Sequence, residues 1–192
     1  LYGGSGHYML GDFDGRKFTP ETNELRFDYG NCFYASQTFS NAPAGRRVQI
    51  AWATIETPGM PFNMSMLFPV ELSLHSTDKG IRMFACPVPE IENIYGRKYS
   101  WSDIDLEPGQ DLLSDIEGEL FDIEAEFDSG GSETFGITVN GLTISYSSKS
   151  HILTCGEEQV SLKPQDGHIR LRLLVDRLSL ELFANKGEIY MP

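Results

Sequence analysis

Three aspartates early in the chain are the residues best placed to do chemistry. Asp12 and Asp14 sit in Gly11-Asp12-Phe13-Asp14-Gly15, and Asp28 sits between Phe27 and Tyr29. Carboxyl groups held as a pair can donate and abstract protons. Against that, Asp12 and Asp14 flank a Gly-rich turn, where aspartate ordinarily accepts backbone N–H groups. Asp28 differs, because a carboxylate between two aromatic residues at a strand end is poorly placed for a core. Two readings of it stay open: it caps a turn, or it lines the mouth of a site. Trp52 poses a similar choice. It ends an alternating stretch and precedes a Pro-, Gly-, Met- and Asn-rich segment, residues 57–65. A Trp on such a strand belongs to a core, or it offers its ring to an apolar partner such as the C–H face of a sugar. Tyr29, Asn31 and Tyr34 are further rim candidates, each of which also has a structural reading.

Other chemistries find no support. His7, His75, His151 and His168 are isolated and lack the spacing of paired metal ligands. Cys32, Cys86 and Cys155 are an odd set without metal spacing, so at least one is unpaired within the chain. Phosphate-loop, dinucleotide, zinc-protease and nucleophile-elbow motifs are absent. No metal and no cofactor is expected. Asp176-Arg177 reads as a turn or a structural ion pair. The 192 residues carry 28 acidic and 15 basic side chains, a net charge of -13. A field of that sign repels phosphate backbones, so nucleic acid is not an expected partner, whereas neutral sugars are indifferent to it. No apolar run has the length of a membrane-spanning helix.

The elements that must position these residues read as strands. Residues 7–10 form a first strand and residues 12–16 its turn, followed by a polar connection over residues 17–25. Residues 27–39 read as one strand, paired through a Pro/Gly loop with residues 47–52. Val48, Ile50 and Trp52 share one face of the second strand. Further runs lie at residues 64–75 and 81–86, the latter stopped by Pro87 and Pro89. Composition shifts near Glu90, and residues 90–101 form a short helix or an irregular linker. Beyond it, Ile123, Ala125 and Phe127 alternate with glutamates. A turn at residues 128–132 leads to a strand at 135–139. Asn140-Gly141 marks a hairpin of type I′ preference. Residues 168–175 and 178–183 form another pair. Short strands at regular spacing with Gly-rich turns indicate a β-sandwich.

Several stretches resemble glycoside hydrolase family 32, the invertases, levanases and inulinases. Residues 11–20 resemble its GDFDG…FTP signature, and residues 28–39 its DYGxxFYAxQTF. Residues 45–52 resemble GRRVLIGW, residues 67–72 LTLPREL, and residues 171–185 LRLLVDRSSVEVFVN. The stretches fall in family order over nearly the whole chain. Three departures stand out: Val70 replaces an Arg, Ala51 replaces a Gly, and residues 53–63 differ from the commonest rim sequences. These are the positions that bear on linkage preference.

The resemblance implies an all-β chain: the C-terminal strands of a five-bladed β-propeller, then a β-sandwich. Residues 1–90 would be the incomplete propeller, 91–102 a linker and 103–192 the sandwich. It implies a retaining mechanism at a fructofuranosyl residue, run by two carboxyl groups. The family motifs that carry those carboxyls precede the GDFDG signature and do not occur here. No catalytic residue is therefore assigned in this chain, which is expected to be inactive alone. Asp28, Tyr29 and Trp52 are the expected substrate-binding residues, and fructan or sucrose-type carbohydrate the expected partner. Both ends look cut from something longer. The incomplete propeller is expected to self-associate or to be disordered, and the sandwich to fold better by itself. Polymeric fructans imply a secreted or periplasmic setting. A non-catalytic carbohydrate-binding or assembly β-sandwich module is the competing reading.

Overall fold

A computed structural model describes residues 6–107, 109–130 and 132–192. Residues 1–5, and Gly131 within the expected turn at 128–132, lie outside the described residues. The chain is all-β in two parts, as expected. Two short ladders open it: β1 (His7–Tyr8) pairs with β4 (Leu25–Arg26), and β2 (Gly11–Phe13) with β3 (Phe18–Pro20). Then comes one antiparallel sheet of β5 (Phe33–Thr38), β6 (Val48–Ala53), β8 (Val70–Thr77) and β9 (Gly80–Pro87). The short β7 (Ser65–Met66) pairs with the far end of β6. A 3-10 turn over Pro89–Ile94 follows, and among the described residues no regular structure appears again before Phe121.

The second part is two facing antiparallel sheets. One has the order β10 (Phe121–Asp128), β15 (His168–Val175), β16 (Leu180–Ala184), β17 (Ile189–Met191). The other is β11 (Thr134–Val139), β12 (Leu142–Ser147), β13 (Ile152–Cys155), β14 (Glu158–Ser161). Asn140 and Gly141 have φ of 51° and 80°, as a two-residue type I′ turn requires. Between the sheets lies a core that includes Ile144, Leu153, Ile169, Leu173 and Leu182. Buried Tyr146 donates its hydroxyl to the Leu162 carbonyl at 3.0 Å, so the ring enters the core without stranding a polar group.

The two parts share a second core. Alternation along β15, β16 and β17 sends Leu174, Phe183 and Tyr190 to the outer face of their sheet. There they pack with Tyr8, Phe27, Phe33, Ala51, Ala53 and Ala85 of the first part. Tyr190 lies against Phe183 with ring centroids 4.8 Å apart and planes 19° apart, and against Phe27 at 5.6 Å. Main-chain bonds stitch the same seam. Tyr29 N–H donates to Tyr190 O, Asn31 N–H to Pro192 O and Ala85 N–H to Gly187 O, at 2.9, 3.0 and 3.0 Å. The rest of that outer face is charged. Asp122 and Glu126 on β10 hold Arg172 and Arg170 on β15.

Two expectations about the first part need correction. Residues 27–39 are not one strand. Asp28 Oδ1 accepts the Gly30 N–H at 2.8 Å, turning the chain, and Asp28 itself bridges to Tyr190 in parallel. β5 starts only at Phe33 and is bulged between Tyr34 and Gln37, with Ala35 at φ 46°. The polar connection at residues 17–25 contains β3, because Asp14 closes a tight turn that returns Phe18 opposite Phe13. Of the two readings left open for Trp52, the core is not the one realised: its side chain lies on the exposed face. The buried face of β6 is Gln49, Ala51 and Ala53, whose mostly small side chains let the sheet approach the seam closely.

Candidate functional site

The register of three strands builds an exposed apolar row. Tyr34 on β5 stands directly opposite Trp52 on β6, and Trp52 stands opposite Met66 on β7. Directly opposed residues project to the same face of a sheet. Tyr34, Trp52 and Met66 are 52, 41 and 55% exposed, while their strand neighbours Phe33 and Ala53 are buried. The Tyr34 and Trp52 rings lie 6.3 Å apart with planes tilted by 46°. Beside the row runs the irregular segment after β6, carrying exposed Phe62. That segment is tied down at its ends: Thr54 donates its N–H and hydroxyl to the Cys32 carbonyl, and the Thr57 hydroxyl donates to Phe62 O. Rigid aromatic faces with polar groups nearby suit a ligand that is apolar on one side and hydroxylated on the other.

Asp28 and Tyr29 occupy a different neighbourhood, the seam. Burial pushes the Asp28 carboxyl up to about 6, opposed in part by the Gly30 N–H and the Arg26 guanidinium. Arg26 Nε donates to the Asp28 carbonyl at 2.7 Å, and its guanidinium lies 4.8 Å from the centre of the Tyr29 ring. Tyr29 is half-buried against the sandwich core, and that burial raises its phenol. Of the three residues singled out from sequence, the structure therefore groups Asp28 with Tyr29, and Trp52 with Tyr34. Asn31 contributes its main-chain N–H to the seam. Asp14 serves its turn: Oδ1 accepts the Arg16 and Lys17 N–H groups at 2.8 and 2.7 Å, which hold its carboxyl below the usual range.

Met66 and Phe62 were not picked out from sequence as contact residues. Met66 carried a usable signal, its alternation with Met64 and Phe68, but only the ladder shows that it faces Trp52. Glu181 was also missed. It stands in an apolar stretch, and it is buried to 1% exposure in the seam. A cleft of about 420 Å³ lies between the β8–β9 hairpin tip and the sandwich loops, lined by His75, Asp78, Lys79, Lys163 and Lys186; no residue of the exposed row lines it. Among the described residues no group of three His, Cys, Asp or Glu side chains gathers as a metal site, and no helix is long and apolar enough to cross a membrane.

Comparison with known proteins agrees along nearly the whole chain. The family described as "Glycosyl hydrolases family 32 N-terminal domain" matches residues 3–85, and "Glycosyl hydrolases family 32 C terminal" matches residues 90–191. A levanase of Bacillus subtilis (strain 168) is 32% identical over 221 residues, covering 97% of this chain and 33% of the levanase. A sucrose-6-phosphate hydrolase of Zymomonas mobilis is 29% identical over 203 residues, covering 94% of this chain and 38% of that protein. The chain thus spans little more than a third of these relatives. Among solved structures, a fructofuranosidase from Schwanniomyces occidentalis complexed with fructose superposes with a TM-score of 0.76 at 22% identity. It is covered over 46% of its length by 96% of this chain. At that identity the likeness concerns the fold, a propeller followed by a β-sandwich.

Proposed function

Because the chain belongs to glycosyl hydrolases family 32, we propose that it is the C-terminal portion of a glycosidase that hydrolyses the O-glycosyl bonds of fructans or sucrose. The observation that carries this reading is the match of both family parts, in order, along residues 3–85 and 90–191. Relatives named for levan and for sucrose 6-phosphate support the substrate class. Retaining hydrolysis needs a nucleophilic carboxylate and an acid/base carboxyl about 5 Å apart. No residue of this chain takes either role; both come from the remainder of the propeller. This chain supplies one wall of the site and the body behind it. Residues 1–90 are the propeller's last strands, 91–102 the linker and 103–192 the sandwich. Trp52, with Tyr34 beside it, stacks on a sugar ring. Asp28 and Tyr29 stand where the wall meets the sandwich and complete the binding surface from that side. The setting is secreted or periplasmic; a relative named an extracellular exo-inulinase, 48% identical over 56 residues and 28% of this chain, supports this.

Taken alone, the chain leaves a second apolar face uncovered. A hollow of about 300 Å³ is lined by Tyr8, Leu10, Leu72, Leu74 and Met83, and Leu74 and Ile81 beside it are exposed. Through that face the chain self-associates. The reading of this protein as a non-catalytic sugar-binding module is separated from the enzyme by one assay. Fructose release from levan, inulin and sucrose is measured for the chain and for the same chain continued through its upstream coding sequence. Release by the longer polypeptide only is the expected result. Release by neither turns the assignment to the binding module.

A further inference from the structure

The seam holds a carboxyl group that none of the roles above uses. Glu181 on β16 is almost wholly buried. Its Oε2 accepts the Tyr190 hydroxyl at 2.6 Å, and its Oε1 accepts the Phe68 N–H at 2.7 Å. The first donor belongs to the sandwich and the second to the first part, so one carboxyl group joins the two. Phe68 follows β7 directly. The adjoining Leu67 N–H donates to Ala51 O at 2.9 Å, and Met66 is the ladder partner of Trp52. Three residues of chain thus lead from Glu181 to the exposed row. On the other side, Tyr190 packs against Phe33 with centroids 6.2 Å apart, and Phe33 is the ladder partner of Ala53.

Among the described residues no cation acts on this group. The ionisable side chains that act on it are acid, phenol or thiol: Asp176 after β15, Tyr190 on β17, and Cys32 from the first part. A buried carboxylate with donors but no countercharge costs free energy that its neutral form does not.

We propose that Glu181 is a positioning residue whose protonation state sets the placement of the Trp52 row against the sandwich. With the proton on, the carboxyl group is neutral and the seam closes around it. With the proton off, the site holds an uncompensated charge, and the strand from Met66 to Phe68 is the side that yields. Burial pushes the Glu181 carboxyl up to about 7, held back by the Tyr190 hydroxyl and the Phe68 N–H, so the exchange falls near neutral pH. The meaning of this coupling for catalysis rests on the reading of the row as a sugar-binding wall; the coupling itself does not.

The test follows Trp52 emission in a Trp101→Phe background, since the chain has 2 Trp residues. Between pH 5 and 9 a single red shift centred near neutral pH is expected as pH rises. Glu181→Gln abolishes it. Tyr190→Phe removes a donor to the ionised form and moves the midpoint up by about one pH unit. Asp28→Asn leaves the transition in place, which separates it from the other raised carboxyl in the seam. A transition that survives Glu181→Gln, or one lost in Asp28→Asn, overturns the proposal. So does its absence from the parent. Should Glu181→Gln fail to give a native circular dichroism spectrum, an unmoved midpoint in Tyr190→Phe overturns it. Titration of Trp52 in a protein whose longer form releases no fructose would refute the enzymatic reading and leave the coupling standing.

Discussion

Gln49 shows at the residue scale how a polar side chain can be placed against the grain of its strand. It is 1% exposed on the buried face of β6, and neither its Oε1 nor its Nε2 has a hydrogen-bond partner among the described residues. An unsatisfied buried amide costs about 1–3 kcal/mol. Gln49→Leu keeps the volume and removes the polar atoms, so it should raise stability by roughly that amount in urea unfolding. Unchanged or lowered stability would mean that the amide finds a partner in solution. The pH dependence of stability also belongs at this scale. Glu181 is raised to about 7 and Asp28 to about 6, both chiefly by burial. A carboxyl raised on folding binds its proton more tightly in the native state. Its stabilising contribution is complete below the unfolded value, near 4 to 4.5, and is lost as pH rises through 6 to 7. The melting temperature should therefore fall between pH 5 and 8, and Glu181→Gln should flatten that fall. What was legible at this scale followed local chemistry. Asp14 in its turn and Asn140-Gly141 in its hairpin needed only neighbouring residues. Burial of Glu181 needed Phe68, 113 residues away in sequence, and nothing local announces that.

Alternation located most of the elements, and it failed where tertiary contacts override it. The stretch at residues 27–39 has the composition of one strand. Yet its Gly30 meets the last residue of the chain so closely that a Cβ there would lie 1.8 Å from Pro192 O. That approach turns the chain at Asp28 and delays β5 to Phe33. Gly187 does the same from the sandwich side: its φ is +89°, and a Cβ would lie 2.1 Å from Ala85 O. Both obstacles are backbone, which cannot rotate away. Gly30→Ala should therefore cost roughly 3 kcal/mol in thermal unfolding, at the upper end of overpacking. Gly96→Ala, where a Cβ meets nothing within 4 Å, should change stability little. Equal effects at the two positions would mean that the seam is looser than the contacts indicate. The same long-range closeness explains β6. Sequence shows that Val48, Ile50 and Trp52 share a face, but not that the seam takes the other face and leaves Trp52 outside.

The whole molecule follows from one sheet used on both sides. Its inner face makes the sandwich core, and its outer face is apolar over Leu174, Phe183 and Tyr190 and charged over Arg170 and Arg172. The apolar patch is the floor on which the strands of the first part rest. Two parts that share a core should unfold together, so near-ultraviolet and far-ultraviolet signals should give coincident transitions. An early separate loss of the Trp52 signal would show that the first part melts alone. Sedimentation should show concentration-dependent association through the uncovered face around Leu74. The two-part all-β organisation was legible from turn spacing, and its meaning came from motifs in family order. The angle at which the parts meet was not, because it is set by cross-chain packing. The role proposed for Trp52 is to stand in a sugar-binding wall that this packing presents. Its most direct measurement is kcat/KM for levan in the polypeptide continued upstream of Leu1, with and without Trp52→Ala. Loss of one aromatic stacking face should lower kcat/KM about 10-fold, with the variant still folded because Trp52 lies outside both cores. An unchanged kcat/KM in a folded variant would contradict it.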